Sequence, residues 1–274
     1  MSSATSNVKY TASRAADSKP LEYIARAGFV GYGIIHLLFA WIAFQVAFRG
    51  SGQESDQSGA LQQLAGNGLG KGLLVLIAIG MVGLAVWQGF EAAIGESGPR
   101  DKTAIAERVI SGVRAVLYLF LAWYAVNVLR GANASMAQSQ ENKSAGLMAN
   151  AGGRWLVGFI GLVVIGVGIG IFVYGLREKF VKHLNTEQMA ASVRKSTIRL
   201  GKAGYMAKGV AYAIAGVLVV AAAVTYDPEK ARGLDAALKT LAGHPWGVWL
   251  LALIGLGIGA FGIYCFAQAR YRKV

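Results

Sequence analysis

The sequence predicts an all-α membrane protein with six transmembrane helices, built as three tandem two-helix repeats in a pseudo-threefold bundle with both termini cytoplasmic. Three observations lead to this fold class. Of the 274 residues, 55% are hydrophobic and only 15% are charged, whereas soluble domains carry about 25% charged residues. Long apolar segments recur along the chain, and one fifteen-residue pattern occurs twice. Much of the chain is therefore expected to lie in lipid.

Six segments are long and apolar enough to cross about 30 Å of hydrocarbon at about 1.5 Å per residue. None of them carries an acidic or basic residue well inside it, as expected when a charge at mid-membrane costs about 2.5–3.5 kcal/mol. We therefore predict six transmembrane helices, at residues 27–48, 71–94, 109–129, 155–176, 203–225 and 246–268.

An internal duplication organises these helices. Residues 60–74, ALQQLAGNGLGKGLL, and residues 237–251, ALKTLAGHPWGVWLL, share the pattern A-L-x-x-L-A-G-x-x-x-G-x-x-L-L. A third, more divergent copy lies between them. Because each unit crosses the membrane twice, the three copies share one orientation and can be related by an axis along the membrane normal. Corresponding positions are Arg26, Arg108 and Lys202, then His36, Tyr118 and Tyr212.

The duplication divides the chain into four parts. Residues 1–21 are polar and lack the apolar stretch of a signal peptide, so we expect a flexible cytoplasmic tail. Repeat 1 covers residues 22–95, repeat 2 covers 96–180 and repeat 3 covers 181–270, each with two transmembrane helices.

The A-L-x-x-L-A-G motif predicts a short helix at the outer interface, ahead of the second helix of its repeat. Its two leucines, three residues apart, lie on one side of a helical turn, and the glycine ends that turn. We interpret this helix as a lid that seals the end of the bundle, and a role in gating a ligand stays open.

Basic residues indicate the orientation. Counted with the adjoining ends of the spans, 19 of the 27 Lys and Arg residues lie on the side that carries both termini, and 8 lie on the other side. Short cytoplasmic loops hold the excess of Lys and Arg, so both termini are expected inside, in the cytoplasmic membrane. The basic inner face is expected to hold anionic lipid headgroups through Arg26, Arg108, Arg114, Lys202 and Lys208. Nucleic acid is not an expected partner, because no compact basic domain remains outside the membrane spans.

A level of polar aromatic side chains halfway through the odd-numbered spans is the candidate site. His36, Tyr118 and Tyr212 each lie between two small residues on one helical face, and His36 is about 10 residues, or roughly 15 Å, from Arg26 at the inner boundary. Gln45 and Asn127 follow further outward. One interpretation is that these groups hydrogen-bond to each other and hold the bundle together. The other is that they line a ligand site or pore, because an ionisable residue inside a membrane is a functional candidate.

Other chemistry finds little support in the sequence. There is no carboxylate pair within the spans, no His, Asp and Glu constellation for a metal and no soluble domain for a cofactor, so we expect no enzyme and no cofactor. His183 and His244 fall on opposite sides of the membrane, which excludes a bis-histidine haem, whereas a single axial His36 stays open. Cys265 is the only cysteine, so an intramolecular disulfide is excluded.

Three further patterns carry structural expectations. The even-numbered spans are rich in glycine, which favours close helix packing, as at Gly161, Gly166, Gly168 and Gly170. Residues 177–204 are compatible with an amphipathic helix on the inner leaflet or with a plain linker. Aromatic residues at span ends are expected to anchor the helices at the interface, namely Phe48, Trp87, Trp155, Tyr174, Trp246 and Tyr264.

The repeat pattern resembles a known family. Each of the outer units begins with a basic residue and glycine, Arg26-Ala-Gly28 and Lys202-Ala-Gly204, and carries A-L-x-x-L-A-G ahead of its second helix. These features resemble the bacterial membrane family called domain of unknown function 1206, over about residues 22–270. In the middle copy Ile110 stands at the glycine position, and LMANAGG, from Leu147 to Gly153, replaces the loop motif. The resemblance implies a fold and supplies no activity.

Two functions fit these expectations. The first is a non-catalytic accessory or interaction protein, which associates with another membrane complex or with lipids through its glycine faces and basic inner surface. The alternative is a small channel or carrier that uses the level of His36, Tyr118 and Tyr212.

Overall fold

The computed structural model describes residues 19–49, 57–66, 68–94, 102–132 and 135–273. In this part of the chain, six helices are long and apolar enough to cross a membrane, as predicted. The expected tail at residues 1–21 lies outside the described residues, except that residues 19–21 already belong to the first helix. The helices are α1 (Lys19–Arg49), α2 (Gln57–Ala65), α3 (Gly68–Ile94), α4 (Lys102–Leu129), α5 (Met136–Met148), α6 (Ala151–Leu176), α7 (Ala191–Thr225), α8 (Leu234–Ala242) and α9 (Gly247–Tyr271).

Each repeat consists of a long helix, a short helix and a second long helix. The predicted short helices at the A-L-x-x-L-A-G motifs are α2 and α8, and the first leucine of each motif, Leu61 or Leu238, is fully buried. In the middle repeat the sequence departs from the motif, and the longer α5 takes this position. We call the end of the bundle with the three short helices the short-helix end, and the end where α1 begins and α9 ends the terminal end.

The long helices pack in an order that leaves one side open. In the order α4, α3, α1, α9, α7, α6, each long helix packs against the next. In the described residues α4 and α6 share at most marginal contact, although they belong to the same repeat. The helices at the two ends of this series are accordingly the least covered, with 28% of the apolar window of α4 and 17% of that of α6 buried, against 56% for α1.

Glycines hold α6 and α7 together. A Cβ atom on Gly168 would lie 2.6 Å from the backbone nitrogen of Ala213, and one on Gly216 would lie 2.7 Å from the nitrogen of Ile165. Only glycine permits this separation, so part of the expected glycine packing is confirmed. A Cβ atom on Gly166 or Gly170 would have no atom of a neighbouring helix within 4 Å among the described residues. The expectation that these two glycines mediate packing within the bundle is therefore wrong. They lie on the opposite side of the helix.

The segment before α7 closes the terminal end. It forms two 3₁₀ helices, Lys179–His183 and Thr186–Gln188, and residues 191–203 begin α7 itself, so no separate amphipathic helix is present. Phe180 and Leu184 are buried in an aromatic core with α9. Leu184 pairs with Arg272, and the amide of Asn185 donates to the carbonyl of Tyr271 at 2.7 Å. The apolar residues of this segment therefore cover protein.

The aromatic residues at the ends of the spans divide into two groups. Trp155 and Trp246 are exposed, as interface anchors should be. Trp87 and Tyr264, which occupy corresponding positions in repeats 1 and 3, are buried, so the interface interpretation is wrong for both. Other parts of the protein cover them at the terminal end: Arg272 lies on Trp87, and Phe180 packs against Tyr264.

Candidate functional site

A lysine lies in the middle of the bundle. Lys208 is seventeen residues from each end of α7, Ala191 and Thr225. Its Nζ atom lies 3.2 Å from the hydroxyl oxygen of Tyr32, to which it donates, and 3.2 Å from Nε2 of His36. The ammonium group also lies 4.0 Å from the centre of the Phe261 ring, within the range of a cation–π contact. All the hydrogen-bond partners of Lys208 in the described chain are thus neutral groups.

The tautomer of His36 follows from its two partners. Nδ1 lies 2.8 Å from the backbone oxygen of Tyr32, which only accepts hydrogen bonds, so Nδ1 carries the proton and donates. Nε2 is then free to accept from the ammonium group of Lys208. His36 is therefore a neutral acceptor that helps to hold a positive charge inside the bundle.

Aromatic rings complete this arrangement. The ring of Tyr32 packs edge-on against His36 at 4.3 Å and against Tyr118 at 5.4 Å between centroids. We call Tyr32, His36, Tyr118, Lys208 and Phe261 the basic–aromatic cluster. It joins α1, α4, α7 and α9, so all three repeats meet there.

A small cavity adjoins the cluster. It has about 10 Å³ of space for the centre of a water molecule, which is room for about one water. The cavity is mostly apolar, and its lining residues are His36, Phe39, Lys208, Ala211, Tyr212, Leu234 and Ile258. A leucine of the short helix α8 thus reaches the level of the central lysine.

The structure brings together three of the five predicted site residues. His36 and Tyr212 line the cavity, and Tyr118 reaches the same cluster through Tyr32. Gln45 and Asn127 each lie nine residues further along their helices, or about 14 Å, and neither lines the cavity. Both are half-buried.

Three of the predicted lipid contacts lie at the terminal end. Arg26 pairs with Glu22 at 2.5 Å, and Lys202 pairs with Glu178 at 2.9 Å. Arg108 donates to the backbone oxygens of Ala92, at 2.9 Å, and Ala93. Binding of lipid headgroups by these side chains stays a prediction, and each already has a partner within the protein.

Lys208 and Arg114 lie deeper than the inner face assigned to them from the sequence. Lys208 contacts His36, which is near the middle of the span Glu22–Phe48. The sequence places these residues at the inner face because each lies near the start of its predicted apolar segment, whereas α4 and α7 begin further towards the terminal end, at Lys102 and Ala191. The statement that no basic residue lies well inside a span is therefore wrong for Lys208.

Tyr32 is a site residue that the sequence analysis missed. The alignment that pairs His36 with Tyr118 and Tyr212 also pairs Tyr32 with Arg114 and Lys208, four residues earlier in each repeat. This regularity was visible in the sequence. We call Tyr32, Arg114 and Lys208 the first set, and His36, Tyr118 and Tyr212 the second set.

Two contacts between the sets join different repeats in the same sense. Tyr32 of repeat 1 contacts Tyr118 of repeat 2, and Lys208 of repeat 3 contacts His36 of repeat 1. The remaining combination would join Arg114 of repeat 2 to Tyr212 of repeat 3. Those two described residues share neither a hydrogen bond nor a ring contact. Arg114 lies on α4 and Tyr212 on α7, the helix that packs on α6, and in the described residues α4 and α6 share at most marginal contact.

Arg114 is a half-buried cation whose charge acts on several tyrosines. It interacts electrostatically with Tyr205, Tyr118 and Tyr174, and with the carboxylate of Glu91. Glu91 accepts hydrogen bonds from Gln88 at 2.7 Å and Ser111 at 3.2 Å. This carboxylate is therefore held by neutral donors as well as by the charge of Arg114.

More positive charge lies towards the terminal end. The guanidinium of Arg272 lies 4.7 Å from the ring centre of Trp87 and 5.2 Å from that of Phe29. Its Nε atom and the hydroxyl of Tyr264 are buried without a hydrogen-bond partner among the described residues. Burial, followed by the charges of Arg272, Lys182, Arg114 and Lys273, lowers the pKa of His183 to about 3.

The interior around these residues is rich in positive charge and hydrogen-bond donors. Lys208 and Arg114 offer positive charge and N–H donors, and the tyrosine hydroxyls add neutral donors. In the described residues no group of three or more His, Cys, Asp and Glu side chains could hold a metal ion. A carboxylate or phosphate group is the ligand chemistry that these donors favour.

Comparisons with known proteins agree with the repeat structure. The profile of the family Domain of Unknown Function (DUF1206) matches the chain three times, at residues 27–95, 111–178 and 203–272. The uncharacterised protein YxxB of Bacillus subtilis (strain 168) is 30% identical over 260 residues, which cover 94% of each chain. No solved structure matches the chain. The chain therefore belongs to the family Domain of Unknown Function (DUF1206), as a multi-pass membrane protein of three repeats.

Proposed function

We propose that this protein is a non-catalytic protein of the cytoplasmic membrane that binds an anionic ligand inside its helical bundle at Lys208. The observation that carries the proposal is the half-buried Lys208, whose ammonium group has only neutral partners in the described chain, Tyr32 and His36. A lysine at mid-membrane costs about 2.5–3.5 kcal/mol, so such residues are found where they serve a site or a pathway. A bound anion would offset this cost.

A carrier or binding protein for anions fits the charges better than a cation pathway does. The basic–aromatic cluster contains one cation, Lys208, and no carboxylate. Positive charge repels cations from this level and attracts anions. This proposal keeps the site that the sequence analysis placed at His36, Tyr118 and Tyr212, and assigns its charge to Lys208.

Binding of inorganic phosphate to the purified protein tests the proposal. In neutral detergent, at constant ionic strength set with sodium chloride, phosphate should raise the unfolding temperature of the wild type. Lys208→Met keeps the length of the side chain and removes its charge, so it should abolish this rise. Lys195→Met is the control, because Lys195 lies on the same helix and is exposed. An equal rise in all three proteins would refute a site at Lys208.

The arrangement of the repeats is part of the proposal. We propose a pseudo-threefold bundle with both termini cytoplasmic and the basic terminal end facing anionic headgroups. Equivalent interfaces support the symmetry, since the second long helix of each repeat packs on the first long helix of the next: α3 on α4, α6 on α7 and α9 on α1. The excess of Lys and Arg on the side of the termini supports the orientation.

Cysteine labelling tests the orientation. The only native cysteine, Cys265, is buried and can be replaced by alanine to give a cysteine-free background. In that background, Lys195→Cys at the terminal end and Lys143→Cys at the short-helix end are both exposed positions. In intact cells, a membrane-impermeant maleimide should label the second and spare the first. The reverse pattern would invert the proposed orientation.

An accessory role is the second candidate function. The face of α6 that carries Gly166 and Gly170 is open, and Phe159 and Val163 on the same helix are exposed. Small residues spaced by four favour close approach of another membrane helix. Crosslinking in native membranes followed by purification tests this role, and Gly166→Leu should abolish any specific adduct. A protein that emerges alone in repeated experiments would count against it.

A further inference from the structure

The contact that is missing between the two sets points to a lipid site. We propose that an anionic phospholipid enters the bundle between α4 and α6 and places its phosphate between Arg114 and Tyr212. This inference rests on the proposed function, because it names the ligand class and the route for the same interior anion site. Four observations carry it.

The first observation is the charge of Arg114. This half-buried residue forms no hydrogen bond or close ion pair with any described residue, and its charge interacts at longer range with Tyr118, Tyr174 and Tyr205 and with the carboxylate of Glu91. The other two members of the first set, Tyr32 and Lys208, both have hydrogen-bond partners. A guanidinium binds phosphate through paired N–H donors, so a phosphate group would satisfy it.

The second observation is the position of Tyr212. Its counterparts Tyr118 and His36 each contact a member of the first set from another repeat. Tyr212 instead lines the cavity beside Lys208. A ligand between Arg114 and Tyr212 would therefore complete the third contact, and would also bring its charge towards Lys208.

The third observation is the route. Helices α4 and α6 do not pack together along the described chain, and both expose bulky apolar side chains such as Val116, Phe120, Val163 and Val167. At the terminal end, the segment with Phe180 and Leu184 covers the bundle and pairs with Arg272. The open side therefore faces the hydrocarbon of the membrane, which favours a ligand with acyl chains over a water-borne anion.

The fourth observation is depth. Arg114 lies seven residues, or about 10 Å, inside the span that begins at Glu107. Helical side chains point towards the N-terminus of their helix, and a long arginine side chain extends further in that direction. The guanidinium of Arg114 can thus draw the phosphate inward from the leaflet at the terminal end, towards Tyr212, while the acyl chains lie between α4 and α6.

Lipid binding to the full-length protein in neutral detergent tests the inference. Native mass spectrometry would compare dioleoyl phosphatidylglycerol with dioleoyl phosphatidylcholine, which has the same chains and no net charge. We expect at least tenfold tighter binding of phosphatidylglycerol to the wild type. Arg114→Gln should lower that affinity at least tenfold, Tyr212→Phe should lower it less, and Arg114→Lys should keep part of it. Arg130→Gln is the control, because Arg130 is exposed at the other end of the same helix.

The outcomes separate this inference from the proposed function. Phosphatidylglycerol binding that survives Arg114→Gln would overturn the lipid site. If inorganic phosphate stabilises the protein through Lys208 but phosphatidylglycerol binds no better than phosphatidylcholine, the anion site stands and the lipid inference fails. If neither ligand binds through Lys208 or Arg114, both fail. Should Arg114→Gln not fold, Arg114→Lys and Tyr212→Phe still decide, because unchanged affinity in Tyr212→Phe together with equal binding of both lipids would overturn the inference.

Discussion

The Nζ atom of Lys208 lies 3.2 Å from Nε2 of His36, which joins the first long helix of repeat 3 to that of repeat 1 in the middle of the bundle. A hydrogen bond between an ammonium group and a neutral imidazole positions the charge without neutralising it. Since the surroundings are aromatic rings and helix backbone, this contact places a net positive charge where a membrane protein would otherwise avoid one.

This charge should lower the free energy of unfolding, and replacing Lys208 tests that effect. In the absence of ligand, we expect Lys208→Met to leave the free energy of unfolding unchanged or to raise it by about 1–4 kcal/mol, because a well-packed apolar side chain replaces a buried charge. Unfolding in sodium dodecyl sulfate from neutral-detergent micelles measures this difference. A loss of stability would indicate that the lysine serves packing, and would weaken the binding-site interpretation.

The seam between α6 and α7 makes a matched pair of glycine substitutions informative. In Gly168→Ala the new Cβ would lie 2.6 Å from the nitrogen of Ala213 and 2.8 Å from the oxygen of Gly209, so the helices must separate. Overpacking costs about 1–3 kcal/mol and the gain in helix propensity is at most about 1 kcal/mol, so we expect a net loss of about 1–2 kcal/mol. Gly166→Ala, with no described atom nearby, should be neutral or stabilising in the same unfolding assay. Equal losses of stability in both variants would contradict the close packing of α6 and α7 at Gly168.

The segment that covers the terminal end should contribute strongly to stability through Phe180. This ring is 1% exposed and packs against Tyr205 and Tyr264 at 5.3 Å between centroids. Phe180→Ala should destabilise the protein by about 3–5 kcal/mol, as for a buried phenylalanine elsewhere. Phe159→Ala removes an exposed ring and should change stability by about 0.5 kcal/mol or less. Similar effects of the two changes would mean that the segment is only loosely attached.

His183 predicts a dependence of stability on pH. Burial and the surrounding cations lower the pKa of this histidine from 6.5 to about 3, so the folded protein keeps it neutral while the unfolded chain takes up a proton near pH 6.5. Its contribution to stability is therefore complete above about pH 6.5 and falls as the pH drops towards 3. Tyr174, whose hydroxyl lies 3.3 Å from Nδ1, is its polar neighbour.

Thermal unfolding between pH 4 and 8 measures this effect. His183→Asn should remove part of the loss of stability at low pH, whereas His244→Asn, at an exposed position, should follow the wild type. A curve for His183→Asn that is parallel to the wild type over the whole range would contradict the prediction.

Much of the architecture was predictable from the sequence for simple reasons. Crossing a membrane requires about 20 apolar residues, so the six spans follow from composition and length. The repeats are visible because Leu61 and Leu238 must be buried in equivalent short helices, which preserves the motif around them. The same register identified His36 and Tyr212, which line one cavity.

The burial of single polar groups was decided by the tertiary structure. The sequence placed Lys208 and Arg114 at the inner face, because hydropathy alone does not show where α7 begins or which groups its side chains contact. Trp87 and Tyr264 have the residue type and the position of interface anchors. They are buried because residues 177–190 and 271–273 fold over the terminal end of the bundle.

The sequence by itself thus determined the membrane-spanning helices, their repetition and the short helices between them. These features depend on the pattern of apolar residues within each segment and on the lipid that surrounds the spans. The tertiary structure decided which repeat-related positions meet. Tyr32 meets Tyr118 and Lys208 meets His36, whereas Arg114 and Tyr212 share no contact, and α4 and α6 of the divergent middle repeat do not pack together along the described chain. Contacts between distant helices depend on the packing of all six spans, and no local pattern encodes them.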